Sequence, residues 1–126
     1  VKTFYTQIMR EIKFRGQRLE NKEWVYGSLV VFHDWEGNRR IQIVDNTGSV
    51  HEVDPSTVGQ YTGLKDKNGK VIYEGDIVHW NEYVGKVIFK NGLFARKFKN
   101  VSASLVSLLL VTEVIGNIHD NPELLK

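Results

Sequence analysis

The side chains best placed to do chemistry lie between Tyr83 and Thr112, a window without an acidic residue that carries Lys86, Lys90, Arg96, Lys97 and Lys99. Five cations with no intervening carboxylate make a local field of one sign, and such a field suits the holding of phosphate groups. Asn91-Gly92 divides the window into Val84–Lys90 and Leu93–Phe98, both rich in β-branched or aromatic residues, which predicts a hairpin. Two registers about that turn set Lys86 opposite either Arg96 or Lys97. Like charges directly opposed repel, and a bound phosphate would relieve them. The bland counterpart is a solvated edge whose lysines discourage strand addition by other chains.

A second group is aromatic: Tyr61, Tyr73 and Trp80. If both tyrosine hydroxyls reach solvent beside Trp80, the three form a binding patch. If they do not, strand and turn structure accounts for them. Acid–base and metal chemistry has less support. His33-Asp34, His51 with Asp54, and His119-Asp120 place histidine near carboxylate, but none has a recognised ligand spacing. There is no cysteine, hence no thiolate nucleophile, cysteine zinc site or disulfide. Gly59 and Gly63 lack the Lys-Ser/Thr that completes a phosphate loop. The expectation is a chain that is not an enzyme and has no metal, cofactor or small-molecule substrate.

The elements that must position these residues read as short strands. At 126 residues the chain has the size of one domain, and 41% apolar with 25% charged residues is a globular composition. Its 17 basic and 15 acidic side chains leave a net charge of only +2, below the basic balance expected of nucleic-acid binders. Contact with a protein partner or with copies of itself is therefore the leading expectation, and nucleic-acid binding by the basic hairpin 84–99 the alternative. Apolar runs such as Leu108–Val111 fall far short of the ~20 residues of a membrane span. With no secretory pattern in Val1–Ile8, which reads as an extension before Met9, a cytoplasmic setting is expected.

Strands are predicted at Glu11–Arg15, Trp24–Phe32, Arg40–Val44 and Val50–Val53, a meander closed by a helical turn that Asp54 caps ahead of Pro55. Asp66-Lys67-Asn68-Gly69-Lys70 predicts a hairpin with a three-residue loop that sets Asp66 across from Lys70. Leu105, Leu108 and Leu109 fit a helical turn or a buried strand equally well across 103–111. Glu113–Ile118 reads as a last strand, and Asn121-Pro122-Glu123 as the start of a terminal turn that packs Leu124 and Leu125 inward. The fold class expected is all-β: a meander over 9–60 packed with a small SH3-like barrel over 61–126, in one domain.

Four segments carry a resemblance: Met9–Arg15, Asn21–Gly27, Val53–Val78 and Val114–Lys126. Within them, Gln60-Tyr61-Thr62-Gly63-Leu64-Lys65-Asp66-Lys67-Asn68-Gly69-Lys70 with Ile72-Tyr73-Glu74-Gly75-Asp76-Ile77-Val78, and Val114-Ile115-Gly116-Asn117-Ile118 with Asn121-Pro122-Glu123-Leu124-Leu125, are the most specific. In order and spacing they resemble the YopX family encoded by phages and prophages, most weakly over Leu29–Glu52 and Asn91–Val111. The resemblance implies a β-rich fold, a phage or prophage source and an accessory protein in the bacterial cytoplasm. It implies no catalytic activity, ligand or residue role.

Overall fold

The computed structural model describes residues 10–126; Met9 and the expected extension 1–8 lie outside the described residues. The chain divides into a first unit ending at Gly63 and a second covering Leu64–Lys126. Secondary structure is almost entirely antiparallel strand, with three single 3₁₀ turns.

In the first unit, β1 (Phe14–Gln17), β2 (Trp24–His33), β3 (Arg39–Val44) and β4 (Val50–Glu52) form the predicted meander, and β5 (Gly59–Lys65) returns beside β1. The first strand begins three residues later than expected and runs two residues further, so that Gly16 and Gln17 are part of it. A Cβ on Gly16 would lie 3.2 Å from Ile43 Cδ1 and 3.2 Å from Val53 Cβ. The bare glycine thus lets the two most buried side chains of this unit close over β1. Asp54 caps the 3₁₀ turn Pro55–Thr57 as anticipated, accepting from Ser56 N–H at 3.0 Å and Ser56 Oγ–H at 2.8 Å.

The second unit opens with the end of β5, which turns into β6 (Val71–Tyr73). There follow β7 (Asp76–Trp80), β8 (Tyr83–Lys90), β9 (Leu93–Phe98) and β10 (Val101–Ser104), a four-strand meander. A 3₁₀ turn at Leu109–Val111 then delivers β11 (Thr112–Asn117) to pair with β7. The order β10-β9-β8-β7-β11 is compatible with a small SH3-like barrel. The ambiguity over 103–111 resolves into neither alternative alone: β10 ends at Ser104, Leu105 enters the core and the chain then makes its 3₁₀ turn. That core is Ile72, Val78, Trp80, Val87, Leu105 and Val114, with Leu64, Phe94, Phe98 and Leu109 packed against it.

One turn occurs three times, at 34–38, 45–49 and 66–70. In each, an aspartate N–H donates to the carbonyl four residues on (2.9, 3.0 and 2.8 Å), and the glycine N–H donates to the aspartate carbonyl at 3.0 Å. The aspartate Oδ1 accepts from the N–H groups two and four residues ahead. Gly37, Gly48 and Gly69 have φ of +84°, +87° and +81°, the left-handed geometry that ends a three-residue hairpin loop.

Candidate functional site

The Asn91-Gly92 turn decides the register of the basic hairpin. Asn91 and Gly92 have φ of +53° and +80°, as a two-residue type I′ turn requires, so Lys90 pairs with Leu93 and four steps back Lys86 pairs with Lys97. Strand alternation then sorts the cations by face. Lys86 and Lys97 share one face, whereas Arg96 lies opposite Val87 on the core side.

On the lysine face is a groove of about 580 Å³ whose lining includes Lys86, Lys97, Lys99 and Lys126, with Phe98 and Leu125 as apolar wall. None of these lysines makes an ion pair among the described residues, and Glu82, the carboxylate on the groove wall, is not bonded to them. Lys97 and Lys86 are half-buried and Lys99 is exposed. Lys99 holds a left-handed φ of +54° at the β9–β10 turn, and its ammonium sits 5.3 Å from the Phe98 ring centroid.

The sequence reading missed four contributors to this groove. Phe98 was legible, since Arg96-Lys97-Phe98-Lys99 interleaves an aromatic ring with cations. Lys126 had no signal, being placed by the 3₁₀ turn Pro122–Leu125 rather than by its neighbours in sequence. Leu124 and Leu125, expected to pack inward, instead face the groove at 38% and 39% exposure, because the 3₁₀ turn that carries them buries none of its residues.

Arg96 leaves the cluster. It is 3% exposed, its guanidinium carbon stands 5.0 Å from the Trp80 ring centroid, and it binds the loop after β10. Nη1 donates to the Ser107 carbonyl and, at 3.3 Å, to the Leu105 carbonyl, while Nη2 donates to Ser107 Oγ at 2.9 Å. Burial without a carboxylate partner pushes its pKa down. The aromatic patch is not a surface feature either. Tyr61, in the first unit, is 8% exposed beneath the Lys13 ammonium, and in the second unit Tyr73 and Trp80 are 3% and 7% exposed. Their alternation along β5, β6 and β7 points them inward. The exposed ring near Trp80 is Tyr83, with centroids 6.0 Å from Trp80 and 5.0 Å from Phe98.

The histidine–carboxylate neighbours are structural where their partners are known. His51 bonds Asp45 at 2.9 Å rather than Asp54, and Asp34 is spent on its turn. The His51 ring, then Thr47, holds the Asp45 carboxyl below the ordinary carboxylate range. Among the described residues no three His, Asp or Glu side chains gather as a metal site, and no helix is long and apolar enough to cross a membrane.

The YopX protein family model matches residues 13–126, beginning four residues after Met9. The crystal structure of protein EF1440 from Enterococcus faecalis is similar at a TM-score of 0.63 and 27% identity, over 94% of this chain and 100% of the other. That of protein yopX from Bacillus subtilis shares the fold at a TM-score of 0.55 and 23% identity, over 90% of this chain and 95% of the other. No curated protein matches. With its family match running from Lys13 to the last residue, over two solved structures of the same fold, the chain belongs to the YopX family.

Proposed function

We propose that this chain is a non-catalytic binding module whose second unit holds a phosphate-bearing single strand of nucleic acid in the lysine groove. What carries the reading is the set of lysines around Phe98, with the Lys86–Lys97 like-charge pair fixed by the Asn91-Gly92 turn and left without a carboxylate partner. Opposed cations cost free energy in the ladder, and a phosphate between them removes that cost while releasing counterions from the strand. The wall of Phe98 and Leu125 favours a chain that exposes bases over a duplex that hides them.

Fluorescence anisotropy with labelled single- and double-stranded oligonucleotides across a salt series tests this. Binding should weaken as salt rises, and Lys86→Glu or Lys97→Glu should each lower affinity about tenfold and flatten the salt slope by about one. Absence of salt-dependent binding at low ionic strength would eliminate the proposal.

A second reading, contact with a protein partner or self-association, has an observation of its own in the first unit. Trp35, at the tip of the β2–β3 hairpin, is fully exposed, and Val31 and Phe32 beside it are also exposed. Exposed aromatic groups of this kind anchor interfaces. Light scattering over a wide concentration range should then show mass above the monomer that Trp35→Ser abolishes; a monomeric mass throughout would remove self-association. Under either reading the setting is that of a phage- or prophage-encoded accessory protein in the cytoplasm of a bacterial host.

A further inference from the structure

A second groove, of about 390 Å³, opens on the opposite face of the β8–β9 hairpin. Its walls include Trp80, Tyr83, Phe98, Val101 and Leu108, with Arg96 at its base. Tyr83 is 39% exposed and Val101 and Leu108 more so, so the walls stand open to a ligand. Phe98 lines both grooves, and Lys99, which lines the lysine groove, holds its ammonium 5.3 Å from the Phe98 ring centroid. The groove also contains a charge without a counter-ion. Arg96 is buried, has no acidic partner, and its Nε has no hydrogen bond. A buried cation of this kind favours a ligand that brings negative charge close to it.

We infer that this aromatic groove is a base-binding subsite: a nucleobase seats against Tyr83 and Phe98 while the adjoining phosphates pass around the Phe98–Lys99 corner onto Lys97 and Lys86. The inference rests on the proposed nucleic-acid reading and deepens it, since it requires bases and not merely a polyanion. Apolar walls take the ring, the Lys99 ammonium takes the phosphate nearest the corner, and the field of Arg96 favours the electron-rich edges of the base. The site is sequence-tolerant, because every base offers a face to stack and no side chain here reads a hydrogen-bonding edge in two places.

The test compares a labelled oligothymidylate with an abasic strand of the same length, both measured by anisotropy against the full chain. The parent protein should bind the oligothymidylate about tenfold more tightly than the abasic strand. Tyr83→Ala and, outside the ring contacts, Leu108→Ser should bring the two affinities to within about twofold and leave the abasic affinity and its salt slope unchanged, while Tyr83→Phe keeps the preference. Equal affinity of the parent for both strands would overturn the base subsite and leave the lysine groove standing. Binding of neither strand would remove the underlying reading. Tighter binding of a glutamate-rich peptide carrying phenylalanine would reassign the groove to an acidic peptide and so also overturn the inference.

Discussion

Gly85→Ala should destabilise the protein by at least about 3 kcal/mol. Gly85 lies on β8, buried and paired with Val78 of β7. A Cβ there would run into the Lys97 carbonyl oxygen on β9 and stand 2.8 Å from Trp80 Cη2. The obstacle is crowding alone, since the residue has no left-handed φ. Relief would need the tryptophan ring to leave the core or β9 to move away, and β9 carries both Lys97 and Phe98. Gly92→Ala is the internal control. It has open space for a Cβ but a φ of +80°, so its cost is conformational, about 1–2 kcal/mol. Urea unfolding of the two variants separates the mechanisms. A Gly85→Ala variant within 1 kcal/mol of the parent would mean that Trp80 does not pack on β8 as described.

Much of this architecture was legible because its turns state their own geometry. Asn91-Gly92 marks a tight turn with two possible registers, and its φ values select the one in which Lys86 opposes Lys97 by counting along the strands. Asp66-Lys67-Asn68-Gly69-Lys70 gave its three-residue loop for the same reason. The matching stretches Asp34-Trp35-Glu36-Gly37-Asn38 and Asp45-Asn46-Thr47-Gly48-Ser49 carried the same signal, yet were read only as breaks between strands. The aspartate side chain bonds the backbone identically in all three.

The candidate site was legible in part. Composition shows that Arg96, Lys97 and Lys99 are cations near Lys86. It does not show that a residue opposite Val87 must face the core, so Arg96 was grouped with lysines from which the sheet separates it. Tyr61 and Tyr73 were misleading for a related reason. A tyrosine has an apolar ring and a polar tip, and sequence fixes neither the burial of the ring nor the route of the hydroxyl. Lys126 and Leu125 reach the lysine groove through tertiary placement of the terminal turn, which no local pattern encodes.

The three equivalent turns supply the second large prediction. Asp66→Ala should cost about 3 kcal/mol, whereas Asp34→Ala, in the same turn, should change stability far less. The two differ in burial and in the partner of Oδ2, which at Asp34 is the half-exposed Arg40 guanidinium at 3.4 Å. Asp66 is 7% exposed, and besides the turn bonds its Oδ2 accepts the Val114 N–H of β11 at 2.9 Å, tying the β5–β6 loop to the last strand. Alanine would leave that buried N–H without an acceptor and open the turn as well. Asp66→Asn isolates the two contributions. Its amide oxygen can replace Oδ1 in the turn, but its NH₂ would then face the Val114 N–H, donor against donor. The pH dependence follows from the same bonds. Burial raises the Asp66 carboxyl, but the N–H groups of Val114, Lys70 and Asn68, with the Lys70 charge, together outweigh it and hold the folded pKa below the ordinary 3.8. A carboxyl depressed on folding contributes stability that is fully present above its unfolded pKa and is lost as pH falls through the folded value. The stability gap between the parent and Asp66→Asn should therefore be widest at neutral pH and narrow below about pH 4, as the parent carboxyl protonates and loses an acceptor. Urea unfolding from pH 7 down to pH 3 measures it, and a gap that stays constant across that range would show that the Val114 bond is not made by the carboxylate.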